Sequence, residues 1–213
     1  MGLMAKKSGD GVDYDPIPEG THHAVCYAII DLGTQYSQVY DNESYKVCVT
    51  WELPKERIEI EGKDLPRAIS KIYTLSLHEK SNLFKDLTAW RGKHFTDDEL
   101  EGFDIFNVLN VNCLLQTCHT VKDNKTYSNI VSVATLMAGM PKLEPENPTV
   151  TYSIMENGIE IPESVPDWLK LIIRKSSEYQ AVFKNKDNPI FQEPVPVEEP
   201  DDLDPGNPDD IPF

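Results

Sequence analysis

The order in which two hydrophobic periodicities follow one another constrains this chain most. Tyr45, Val47, Val49 and Trp51 alternate with Lys46, Cys48 and Thr50, the period-2 pattern of a strand with one apolar face. Residues 20–30 precede it as another strand, with Cys26, Ala28 and Ile30 on one face and Val25, Tyr27 and Ile29 on the other. Residues 31–44 are polar and read as a loop, with Gly33, Asp41 and Asn42 as loop formers. Pro54 ends the second strand, a charged loop runs to Pro66, and residues 68–77 form a third strand. The period then changes: residues 81–90 place Leu83, Phe84, Leu87 and Trp90 on one side of a helix. Thr96-Asp97-Asp98-Glu99 is a capping box for a second, short helix carrying Leu100 and Phe103. Residues 111–121 and 126–136 return to strand, joined by Lys122-Asp123-Asn124-Lys125, a sequence suited to a hairpin turn.

Three strands, a helix and two strands is the order of the oligonucleotide-binding (OB) fold. That fold is a partly open, five-stranded Greek-key barrel with a helix between strands three and four. The expected fold is therefore mainly β, with an OB domain over residues 19–140 behind a flexible lead-in, 1–18. After Gly139 the composition turns Pro-rich, with Pro141, Pro145 and Pro148. The extension over 141–186 reads as a hairpin around Asn157-Gly158 and one amphipathic helix over 166–182, bearing Trp168, Ile172, Tyr179 and Val182. It is expected to pack on the barrel or on a second subunit. Residues 187–213 hold seven of the 16 prolines and few apolar residues, the composition of a disordered acidic tail.

The formal net charge is −16, unevenly placed. Nine acids and no Lys or Arg fall from Asp187 onward, leaving 27 acids against 20 bases in the body, a net of −7. An acidic body opposes phosphate contacts, although a local basic stripe is compatible with it. Cys26, Cys48, Cys113 and Cys118 form no Cys-x-x-Cys pair and sit in apolar runs, as buried free thiols of a reducing cytoplasm do. Residues 1–10 lack an apolar signal core and no segment approaches 18 apolar residues, so neither export nor membrane contact is expected.

Enzyme signatures are missing from the sequence. Gly92-Lys93 lacks the remainder of a phosphate-binding loop. His22 and His23 are adjacent, and Cys113 and His119 face away from Cys118 on a strand, so no metal site or cofactor is expected. Binding a single strand without sequence preference needs aromatic faces for stacking and cations along the backbone. The candidate aromatics are Tyr36, Tyr40, Trp51, Tyr73 and Tyr127. The candidate cations are Lys46, Arg67, Lys71, Lys122 and Lys125. Trp51 shares a face with Val47 and Val49, and Tyr73 with Leu75 and Leu77, so a core role competes with stacking at both.

The sequence closes with Asp209-Asp210-Ile211-Pro212-Phe213. Phe213 suits an apolar pocket, its α-carboxylate an Arg or Lys, and the two acids a basic rim, while Pro212 restricts Ile211 to extended backbone. This ending resembles the tail tip of bacterial single-stranded-DNA-binding proteins, which docks onto replication and repair enzymes. The run from Ile69 to Leu83 (ISKIYTLSLHEKSNL), Ala89-Trp90-Arg91-Gly92 and Gly102-Phe103-Asp104 resemble phage-encoded proteins of that kind. The resemblance implies a non-enzymatic protein of phage replication or recombination in the bacterial cytoplasm. It would coat single-stranded DNA, recruit host or phage replication and repair proteins through its tip, and form a homodimer. Its acidic segment would compete with DNA for the barrel. The linker departs from the bacterial family in being short and Pro-rich, and the extra helix puts a bacterial-type tetramer in doubt. The rival expectation is an OB-fold adaptor that binds replication proteins without contacting DNA, which the acidic body favours.

Overall fold

The structure, a computed structural model, describes residues 15–38 and 41–186. Tyr40, most of the expected lead-in and the whole tail, with Asp209, Asp210, Ile211, Pro212 and Phe213, lie outside the described residues. Five strands, β1 (Gly20–Ser37), β2 (Asn42–Ile60), β3 (Lys63–Thr74), β4 (Asn112–Lys122) and β5 (Lys125–Thr135), form an open antiparallel sheet in the order β3-β2-β1-β4-β5. A short sixth strand, β6 (Val150–Tyr152), adds parallel to β1 at Ala28–Ile30. Between β3 and β4 come α1 (Asn82–Arg91), α2 (Asp97–Glu101) and a 3-10 turn (Ile105–Val108). After β6 come α3 (Ile154–Asn157), α4 (Asp167–Ile173) and α5 (Ser177–Lys186).

The strands outrun the hydrophobic pattern. Residues 31–37 and 42–44, expected as loop, are paired from Asp31↔Val47 to Ser37↔Asn42, so β1 and β2 form one long arm. The backbone ladder satisfies these polar residues even where the arm leaves the core. Pro54 does not end β2. It sits in an irregularity between the pairs Leu53↔Arg67 and Arg57↔Pro66, where a residue without an N–H is tolerated. The charged stretch beyond it is a hairpin turning at Glu61 and Gly62, both at positive φ, and Asp123 and Asn124 turn the β4–β5 hairpin in the same way. A bulge at Tyr27 shifts the phase of β1, so Cys26 and Ile29 share the inner face instead of lying on opposite ones.

That inner face carries the larger core: Trp51, Val47, Val49, Leu53, Ile69 and Leu115, closed by Leu83, Leu87 and Trp90 of α1. Ser81 caps α1 by accepting the Phe84 N–H, and Gly92 ends it in the left-handed conformation. The capping box at Thr96 and Glu99 forms as the sequence predicts. The edges β3 and β5 are bridged by residues 15–19, which are pinned where a flexible lead-in was expected. Ile17 enters the core, and its carbonyl accepts from Ser128 Oγ (3.0 Å) and His119 Nε2 (2.7 Å). Arg67 donates to the Asp15 carbonyl, and Thr117 Oγ1 to that of Pro18 at 2.8 Å.

The opposite face of β1 and β2 carries a second core, built with the extension: Ile30, Leu32, Cys48, Tyr152, Ile154, Val165, Leu169, Ile173 and Tyr179. The expected hairpin around Asn157-Gly158 is instead β6 followed by one helical turn. The expected single helix is two, because Ser176 Oγ accepts the Tyr179 N–H and starts α5 afresh. Leu169 and Ile173 face inward, whereas Trp168 and Val182 are exposed. The Pro-rich linker is stitched across this face. Buried Glu52 accepts N–H groups of Glu146 and Asn147, each at 2.8 Å, and Asn112 pairs with both backbone groups of Leu143.

Cys26, Cys48 and Cys113 are buried free thiols, and burial pushes Cys48 up to about 11; Cys118 is half-exposed. Among the described residues no helix is long and apolar enough to cross a membrane.

Candidate nucleic-acid interface

The sheet register sorts the candidate residues into three groups. The first faces the core. Trp51 is 1% exposed and packs on Trp90, ring centroids 5.5 Å apart. Tyr73 is buried and donates its hydroxyl to Asp86 Oδ2 at 2.8 Å; burial, then the Asp86 charge, hold that phenol well above its ordinary range. Lys71 pairs with Val49 across the ladder, on the same inner face, and its ammonium lies 2.7 Å from Asp86. Trp51 and Tyr73 therefore leave the candidate surface, and the charge of Lys71 is neutralised. Arg67 lies beside them and gives its donors to the Arg57 and Asp15 carbonyls, holding residues 15–19 in place.

The second group is at the far end of β4 and β5. Lys122 opposes Lys125 and Thr120 opposes Tyr127, and directly opposed residues share a face. Lys122, Lys125 and the half-exposed ring of Tyr127 thus stand on one outward face. Lys122 and Tyr127 line a hollow of about 400 Å3 with Thr120, Asp123 and Asn129. Among the described residues, this is where the fold brings a half-exposed candidate aromatic together with two candidate cations that make no ion pair. Neither lysine makes an ion pair among the described residues.

The third group lies toward the other end of β1, on the long arm. Tyr36 is 58% exposed and donates to Asp41 Oδ1 at 2.5 Å, a bond that raises the phenol above its ordinary range. Lys46 stands on the outer face of β2, its ammonium 2.7 Å from Thr74 Oγ1. β1 pairs with β4 from its first residue and turns into β2 at its last, so the second and third groups lie at opposite ends of it.

His78 and Lys80, in the loop between β3 and α1, were not among the candidates. They line a hollow with Lys46. Their signal in the sequence was a basic loop next to a capping serine, indistinguishable there from ordinary helix punctuation.

Several acids of the body are consumed as internal acceptors. Asp31 takes the N–H of Gly33 and Ile154 and the Tyr45 hydroxyl; Glu52 holds the linker; Asp86 holds Tyr73 and Lys71; Glu178 takes both the N–H and hydroxyl of Thr34. Each of these acids keeps its charge, and only Asp86 is offset by a cation, Lys71, but their oxygens are directed at protein donors and not at a ligand. Among the described residues no group of three or more His, Cys, Asp or Glu is placed to hold a metal ion.

No protein-family model matches this chain, and no curated protein matches it.

Proposed function

We infer that the chain is a non-enzymatic single-stranded-DNA-binding protein of the OB class, acting in phage replication or recombination in the bacterial cytoplasm. The observation that carries the reading is the sheet order β3-β2-β1-β4-β5 with α1 between β3 and β4, which is the OB order opened between strands three and five. The β4–β5 hairpin supports it, with Lys122, Lys125 and Tyr127 on one face, in the loop region that OB folds use for oligonucleotides. On this reading Asp209-Asp210-Ile211-Pro212-Phe213 recruits replication and repair proteins, with Phe213 as the anchor.

Fluorescence anisotropy with an oligo-dT strand tests the reading. Binding at low salt is expected, and Tyr127→Ala should weaken it by about 1–3 kcal/mol, the usual worth of one stacked base. Absence of binding at low salt, also after removal of residues 187–213, would overturn it.

The adaptor reading is favoured by one observation. Met155, Trp168, Leu171 and Phe183 of the extension are exposed apolar side chains. A chain that captures a replication protein while ignoring oligo-dT would establish that alternative.

A further inference from the structure

We propose that the hollow between the outer edge of β3 and the β3–α1 loop is a subsite for a backbone phosphodiester of single-stranded DNA. The inference rests on the DNA-binding reading above and places part of the strand's path away from the β4–β5 hairpin.

The hollow measures about 510 Å3 and its walls include Lys46, Ile72, Thr74, His78 and Lys80. No carboxylate lines it. The hollow beside Tyr127 contains Asp123, and the one beside Arg67 contains Asp15. In a chain of net charge −16, a concavity with three basic side chains and no acid is a local reversal of sign. Its donors are positioned. The Lys46 ammonium is held by Thr74 Oγ1 at 2.7 Å, which fixes it at the rim with further N–H groups to give. His78 Nδ1 accepts the Lys80 N–H at 3.2 Å, so the neutral ring carries its proton on Nε2 and donates without becoming charged. Lys80 makes no ion pair among the described residues.

A phosphodiester matches this set, with one negative charge and several acceptor oxygens for donors converging from different elements. The apolar wall favours a nucleotide over a bare anion. Ile72 is 43% exposed on the outer face of β3, and Lys46 pairs in register with Gly33, three residues before the exposed ring of Tyr36. A strand whose phosphate sits between Lys46 and Lys80 thus has an aliphatic surface beside it and an aromatic one further along the arm.

The test is a salt titration of oligo-dT binding by the full chain. Each phosphate neutralised on a single strand contributes about −0.7 to the slope of log K against log salt. Lys46→Ala with Lys80→Ala removes both cations from that one phosphate and should therefore flatten the slope by about 0.7, equally for oligo-dT and oligo-dA, because phosphate contacts carry no sequence information. Lys80→Ala alone, whose side chain makes no hydrogen bond or ion pair among the described residues, should flatten it in the same direction by less than about 0.7. Lys175→Ala, an exposed lysine on the extension, should leave it unchanged. If the wild-type chain fails to bind oligo-dT, the DNA-binding reading falls and this inference with it. If the wild-type chain binds and the double variant keeps the wild-type slope, the subsite alone is refuted. An equal change in the Lys175 variant would refute it as well, because it would show a general charge effect. Unchanged oligo-dT binding together with lost binding of an acidic peptide would reassign the hollow to a protein partner.

Discussion

Gly33→Ala offers the sharpest test of how the extension is seated. Gly33 lies on β1 at φ +64°, and a Cβ built there would meet Ser176 Cβ at 2.6 Å, Glu178 Oε2 at 2.7 Å and Ile154 Cδ1 at 2.8 Å. Two costs follow. An L-residue held in the left-handed region loses about 1–2 kcal/mol. Overpacking a methyl against three fixed neighbours costs about 1–3 kcal/mol more. The total is about 2–5 kcal/mol, or roughly 4–20 °C in Tm at the 2–4 °C per kcal/mol usual for a chain of this size. Gly62→Ala is the internal control: it has φ +75° and nothing within 4 Å of the built Cβ, so it carries the first cost without the second. Urea unfolding followed by tryptophan fluorescence reads both variants, with Trp51 and Trp90 in the first core and Trp168 on the extension. Gly33→Ala should be the more destabilised by about 1–3 kcal/mol. Equal stabilities would refute the close approach of α3 and α5 to β1.

Glu52→Gln should destabilise the fold by about 2 kcal/mol in the same assay, because its amide nitrogen would then face the donor of Glu146 or those of Asn147 in a buried site. Glu178 gives a pH signature. Burial raises its carboxyl, but the hydroxyl and N–H of Thr34 outweigh burial and hold it below its ordinary value. A depressed folded pKa means stability that is present above the unfolded value, about 4.3, and is lost as pH falls through the lower folded value. Glu178→Gln should therefore flatten the acid limb of a stability–pH curve below about pH 4.3, and an unchanged limb would remove Glu178 from the account.

The features legible in the sequence were those set by contacts close along the chain. Ser81, Leu83, Leu87 and Trp90 specify α1 because one turn of helix relates them to one core. Asp123 and Asn124 specify a hairpin because both adopt left-handed backbone. Residues 31–37 did not look like strand, since their ladder partner, not their side chains, makes them one. The bulge at Tyr27 was hidden as well, because a period-2 reading assumes an unbroken phase. β6 is three residues long and pairs in parallel with a strand more than 100 residues earlier, which no local pattern announces. The candidate site divides in the same way. The shared faces of Trp51 with Val49 and of Tyr73 with Leu75 and Leu77 pointed to the core, where both aromatic rings lie. The loss of Lys71 to Asp86 depended on where α1 docks. The pairing of Lys46 with His78 and Lys80 in one hollow also needed the fold, since 32 positions of chain separate the first two.

The short strand β6 has a consequence for how the chain can be handled. β4 covers one side of β1 only from Gly20 to Val25, and β6 takes over that side at Ala28. An unpaired strand edge invites a second molecule to add to it, and natural sheets guard against this. Here the guard is the chain's own extension. A fragment cut before Val150 would present naked backbone at Ala28–Ile30 next to uncovered Ile30, Leu32 and Cys48. Such a fragment should self-associate, so oligomers seen with a trimmed sheet domain would report the cut and not the assembly state of the whole chain.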